Sequence, residues 1–128
     1  MGNNIILAID DNLMQLDIFK KILTPKYEVH IAKSASEALN FLNENRAKAH
    51  TILLDIEMPN INGFDFLHDI RKIPSYMTVP IIIVSGNSGK EFFDEARNSS
   101  AFDILSKPVN QELLIETIEK ALASAANQ

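Results

Sequence analysis

Short apolar runs alternate with longer segments in which apolar side chains recur every three or four residues, and this two-beat pattern repeats five times along the chain. Runs of the first kind predict strands at 4–9, 27–31, 51–54, 80–84 and 102–105. Most are rich in Ile, Val and Leu with little in/out alternation, the mark of strands covered on both faces. The intervening segments predict helices at 12–23, 36–45, 63–73, 88–98 and 110–123. Thr24-Pro25 closes the first helix, Ser34 or Ser36 caps the second with Glu37 in its first turn, and Asn110 caps the last. Strand and helix in strict alternation imply an α/β fold with a parallel sheet. We read 1–128 as a single domain, with 124–128 a frayed tail.

Composition narrows the setting. A chain of 128 residues can bury one core without staples. It contains no cysteine, so disulfides and thiolate metal sites are excluded and no oxidising compartment is needed. No apolar stretch reaches the ~20 residues that span a bilayer, and no basic head precedes an apolar run at the N-terminus. The expectation is a cytoplasmic protein with no membrane contact. With 17 acidic against 12 basic side chains and a formal charge of −5, the domain should repel nucleic acid and bind none directly.

The chemistry gathers where strands end. Asp10 and Asp11 follow the first strand, Asp55 the third, Ser85 the fourth, and Lys107-Pro108 the fifth. In a parallel sheet those exits share one edge, where ligands of open α/β folds bind. Three carboxylates supply hard oxygen donors of the kind Mg²⁺ prefers, too few to exclude water and substrate oxygens. Without a cation they repel one another, and at least one proton affinity should rise. A carboxylate can also attack phosphorus and form an aspartyl phosphate, provided positive charge meets the phosphoryl oxygens. Lys107 and a metal would supply that charge, and the Ser85 hydroxyl could donate to a phosphoryl oxygen.

Asp10-Asp11, Asp55-Ile56-Glu57-Met58-Pro59, Ser85 after Pro80-Ile81-Ile82-Ile83-Val84, and Lys107-Pro108 together resemble the receiver domain of two-component response regulators, of the chemotaxis-receiver kind. The intervals 55 − 11 = 44, 85 − 55 = 30 and 107 − 85 = 22 are similar to that family's, and the resemblance covers essentially the whole chain. It implies a flavodoxin-like, doubly wound (βα)5 fold with a five-stranded parallel sheet in the order 2-1-3-4-5. It further implies that Asp55 accepts a phosphoryl group from a histidine kinase or a histidine phosphotransfer protein in a Mg²⁺-dependent reaction, the receiver catalysing its own phosphorylation and dephosphorylation. Asp11 would ligate Mg²⁺ directly, Asp10 largely through water, and Asp55 and the Glu57 backbone carbonyl would complete the protein's ligands. Lys107 would pair with Asp55 or its phosphoryl group, and Ser85 would follow that group inward during the switch. Receivers hold the Lys-Pro bond cis, which aims the lysine at the pocket.

The chain departs from the family pattern at three places. Ile104 stands where an aromatic switch residue is common, and Phe102 lies on the same strand face at a different height. Glu57 is long and charged beside the site, and Asn62 replaces an acid often found before the glycine. On the last helix Leu114, Ile118, Ala121 and Leu122 form the core stripe, leaving Leu113 outside and Ile115 on its margin. With Ile104 they mark a surface of the fourth helix, fifth strand and fifth helix that receivers use to dimerise or to dock outputs. On the first helix Ile18, Phe19, Ile22 and Leu23 read as core, and Leu13, Met14 and Leu16 as the dock for the histidine-bearing partner. His30, His50 and His68 share no spacing and are not read as ligands.

Two other classes fit less well. An aspartate-nucleophile phosphatase carries its nucleophile and acid two residues apart after the first strand, which Asp10-Asp11-Asn12 does not supply. A pseudo-receiver, binding partners without phosphorylation, would not need the complete set of acids, serine and lysine. The chain reads as a free-standing receiver or as the receiver piece of a longer protein.

Overall fold

The computed structural model describes residues 3–44 and 48–126. Five strands, β1 (Ile5–Ile9), β2 (Glu28–Ala32), β3 (Thr51–Asp55), β4 (Ile81–Ser85) and β5 (Asp103–Ser106), alternate with five helices. These are α1 (Leu13–Leu23), α2 (Ala35–Asn43), α3 (Gly63–Arg71), α4 (Lys90–Arg97) and α5 (Gln111–Ala126). All strand pairs are parallel and the sheet order is β2-β1-β3-β4-β5, as expected.

Alternate side chains of the central strands enter two separate cores. Leu7, Ile9, Ile52, Leu54, Ile81 and Ile83 pack against Ala38 and Leu42 of α2, Phe66, Leu67 and Ile70 of α3, and Phe92 and Ala96 of α4. Ile6, Ala8, Leu53, Ile82 and Val84 pack on the other face against Leu16, Phe19 and Leu23 of α1 and Leu114, Ile118 and Ala121 of α5. This double burial is why β3 and β4 read as uninterrupted apolar runs: every residue of each is buried.

Caps explain most of the boundaries. Asn12 rather than either neighbouring acid caps α1, accepting from the Gln15 N–H at 3.2 Å. Ser34, not Ser36, caps α2 through the Glu37 N–H, while Glu37 reaches back to the Lys33 N–H. Asn62 caps α3 through two N–H groups, those of Phe64 and Asp65, so its substitution for an acid keeps the structural role. Asn110 caps α5 through the Leu113 N–H.

Some expectations are corrected. β2 begins at Glu28 because Tyr27 is still tied to the end of α1, its N–H donating to the Leu23 carbonyl at 2.9 Å. α2 ends at Asn43, and the expected last residue, Asn45, lies outside the described residues. α3 stops at Arg71 because Pro74 opens a 3₁₀ turn, Pro74–Tyr76, whose Tyr76 hydroxyl accepts from the buried Ala49 N–H. α4 starts at Lys90, after an Asn87 side chain that takes the Gly89 N–H and forms a turn there. α5 continues through Ala126, past the expected end at Ala123, its Ala-Ser-Ala-Ala end being rich in the strongest helix former, and the last two residues of the expected tail lie outside the described residues. On α1 the buried stripe is Leu16, Phe19 and Leu23, whereas Ile18 is 47 % exposed. Leu16 is thus a core residue and not part of a docking surface. Apolar side chains surround much of this helix, so its own pattern allowed two adjacent faces, and the sheet chose between them.

Candidate functional site

Strand register brings the acids together. β1 lies beside β3, with Ile9 opposite Leu54, so Asp10 and Asp55 leave the sheet as neighbours. Asp10 is fully buried and Asp55 is only 4 % exposed, while Asp11 faces solvent. Oxygens of Asp10, Asp11 and Asp55 lie within 4.8 Å of one another, the one such acidic or histidine cluster among the described residues. His30, His50 and His68 lie outside it.

Backbone donors aim two of the carboxylates. The Asn12 N–H donates to Asp10 Oδ1 and the Glu57 N–H to Asp55 Oδ1, both at 2.9 Å. That leaves Oδ2 of each for Lys107, whose Nζ lies 3.0 Å from Asp10 and 3.3 Å from Asp55. The lysine arrives from the fifth strand, follows a backbone bond from its N–H to the Ser85 carbonyl at 2.8 Å, and precedes a cis Lys107-Pro108 peptide bond.

One ammonium shared by two inward-facing carboxylates does not neutralise them. Burial raises the Asp55 carboxyl to about 6; the Glu57 N–H and the Lys107 charge pull it down, and neighbouring Asp10 pushes it up. Burial alone would lower Lys107, but its hydrogen bond to Asp10 and the charges of both aspartates outweigh that and hold it above its usual range. The pair is poised to accept further positive charge.

Ser85, buried at the end of β4, donates its hydroxyl to Glu57 Oε1 and accepts from the Asn87 N–H at 2.9 Å. The same Glu57 oxygen accepts from the Gly86 and Asn87 N–H groups, each at 3.1 Å. Sequence reading placed Glu57 beside the site but missed these two backbone donors. Only the bend after β4 turns them toward it, and no side-chain identity signals that.

Ile104, opposite Ile83, is half-buried against the first core. Leu113 is 48 % exposed, whereas Ile115 packs partly against the second core and offers less free surface than expected. No described helix is long and apolar enough to cross a membrane.

Residues 6–119 match the family model described as the response regulator receiver domain. Among curated proteins, the 3',5'-cyclic-nucleotide phosphodiesterase regA of Dictyostelium discoideum is 31 % identical over 121 residues, 93 % of this chain and 15 % of the relative. Hybrid signal transduction histidine kinase I of the same organism is 33 % identical over 119 residues, 88 % of this chain and 7 % of the relative. The chain therefore spans a minor part of these relatives. A solved CheY-like receiver domain protein from Methanospirillum hungatei superposes with a TM-score of 0.87 at 30 % identity, covering 98 % of both chains.

Proposed function

The chain belongs to the response regulator receiver domain family of two-component signalling, and from that premise we propose that Asp55 is its phosphoacceptor. The observation that carries the reading is the Lys107 ammonium held between Asp10 and Asp55 at the open edge of the sheet. A carboxylate oxygen of Asp55 attacks the phosphorus of a phosphohistidine. The O–P bond forms as the P–N bond breaks, and the bonding pair leaves on the imidazole nitrogen. The protein's part is positioning and charge. The Glu57 N–H orients Asp55, Lys107 meets the phosphoryl oxygens, and Ser85 donates its hydroxyl to one of them.

The acidic cluster suits Mg²⁺: its donors are hard oxygens, they lie within one ion's reach of each other, and Asp11 is open to water. Asp10, Asp11, Asp55 and the Glu57 backbone carbonyl would hold the ion, which supplies positive charge toward the phosphoryl group. The same ion would offset the burial and, secondarily, the Asp10 repulsion that raise Asp55.

The donor is a histidine kinase or histidine phosphotransfer protein of the cytoplasm. Leu13, Met14 and Ile18, exposed on α1 next to the acids, form its dock. Leu113 and the α4, β5 and α5 surface around it serve a homodimer of the phosphorylated form.

Acetyl phosphate with Mg²⁺, followed by intact mass measurement, tests the central claim. Wild type should gain one phosphoryl mass and Asp55→Asn none. A wild type without the adduct, or an Asp55→Asn variant with it, overturns the reading.

A further inference from the structure

Three donors converge on a single oxygen of Glu57: the Ser85 hydroxyl and the Gly86 and Asn87 N–H groups. Successive backbone N–H groups beside a hydroxyl make an anion cradle. It opens at the end of β4, and Asp55 lies opposite Val84, one residue before Ser85. An anion attached to Asp55 is therefore within reach of it. Glu57 is tied to both sides, its backbone N–H on Asp55 and its carboxylate in the cradle.

We propose that the Glu57 side chain is a latch, an internal anion that fills the phosphoryl cradle and must leave it before Asp55 can be phosphorylated. The inference rests on Asp55 being the phosphoacceptor. Two anions cannot share one set of donors, so a phosphoryl oxygen gains the Ser85 hydroxyl only as the carboxylate gives it up. Residue 57 lies at the exposed rim, so the carboxylate can return to water without unpacking the core. The closed latch lowers the fraction of molecules competent for transfer, and the apparent rate falls by that fraction. One net charge-assisted hydrogen bond is enough to hold it closed about nine-tenths of the time.

Charge alone would also slow an anionic donor, so the test separates contact from charge. Initial rates of Asp55 phosphorylation by acetyl phosphate, below saturation and with Mg²⁺, are compared for wild type, Glu57→Ala and Glu57→Asp. All three keep the residue 57 backbone carbonyl. Aspartate keeps the charge but withdraws the carboxylate by about one C–C bond, ~1.5 Å, out of reach of the two N–H groups. Both variants should be phosphorylated about tenfold faster than wild type. If only Glu57→Ala is faster, charge and not the latch is responsible, and the proposal falls. Equal rates in all three overturn the latch and leave Asp55 as the acceptor. No Asp55 adduct in any of them overturns the acceptor assignment, and the latch with it.

Discussion

Asp55→Asn should stabilise the metal-free fold, and do so only at neutral and alkaline pH. The Asp55 carboxyl lies at about 6 in the folded chain against 3.8 for the unperturbed group. Between those values the folded state binds the proton that the unfolded state has released. Stability is thus highest below the unfolded value and is lost as pH rises through about 6. A difference of roughly two units corresponds to about 3 kcal/mol once both states are ionised. Asn removes that cost, and its amide oxygen still accepts the Glu57 N–H, while its NH₂ takes the place of the oxygen that accepted from Lys107. Lys107 retains Asp10 at 3.0 Å. Urea unfolding followed by far-UV circular dichroism, in EDTA at pH 4 to 8, reads the difference. The variant should exceed wild type by about 1–3 kcal/mol at pH 8, or on the order of 5–10 °C in Tm for a domain of this size. The two should converge near pH 4. Because Asp10 and Lys107 share the titration, the midpoint belongs to the cluster. Mg²⁺ should narrow the gap by stabilising wild type, by about 2.7 kcal/mol at a hundred times its Kd. A variant no more stable than wild type at pH 8, or an advantage unchanged at pH 4, refutes the account of Asp55 as a buried, under-compensated charge.

Lys107→Ala leaves two inward-facing carboxylates without their ammonium, so phosphoryl uptake from acetyl phosphate should slow by about 10²–10³-fold, measured by intact mass over time. Leu16→Ala should cost about 2–5 kcal/mol in urea unfolding, whereas Ile18→Ala should stay within about 0.5–1 kcal/mol; equal costs would place the wrong face of α1 on the sheet. Polar substitution of Leu13, Met14 and Ile18 together should slow transfer from a phosphohistidine protein but not from acetyl phosphate, since only the protein donor needs the dock. Gly63→Ala would set a Cβ 2.2 Å from the Ile56 carbonyl oxygen, displacing the loop that carries Glu57. Calorimetry should show a loss of about 1–3 kcal/mol.

Periodicity and strand-end chemistry make both the fold and the acidic site legible in the sequence. The βα alternation dictates a parallel sheet, parallel strands must end on a common edge, and the side chains at those ends therefore had to meet. Asp10, Asp11, Asp55 and Lys107 do so, while the Ser85 hydroxyl meets the Glu57 carboxylate. What remained open depended on contacts between residues distant in sequence. The sheet decided which of two apolar faces of α1 is buried, because the helix carries enough Leu, Met and Ile to offer either. Packing decided how far Asp55 is desolvated, and hence that its carboxyl lies near 6. The bend after β4 decided that Gly86 and Asn87 turn their N–H groups onto Glu57. Backbone donors carry no signature in side-chain identity, so a sequence shows which charges will gather but not which of them its own main chain will hold.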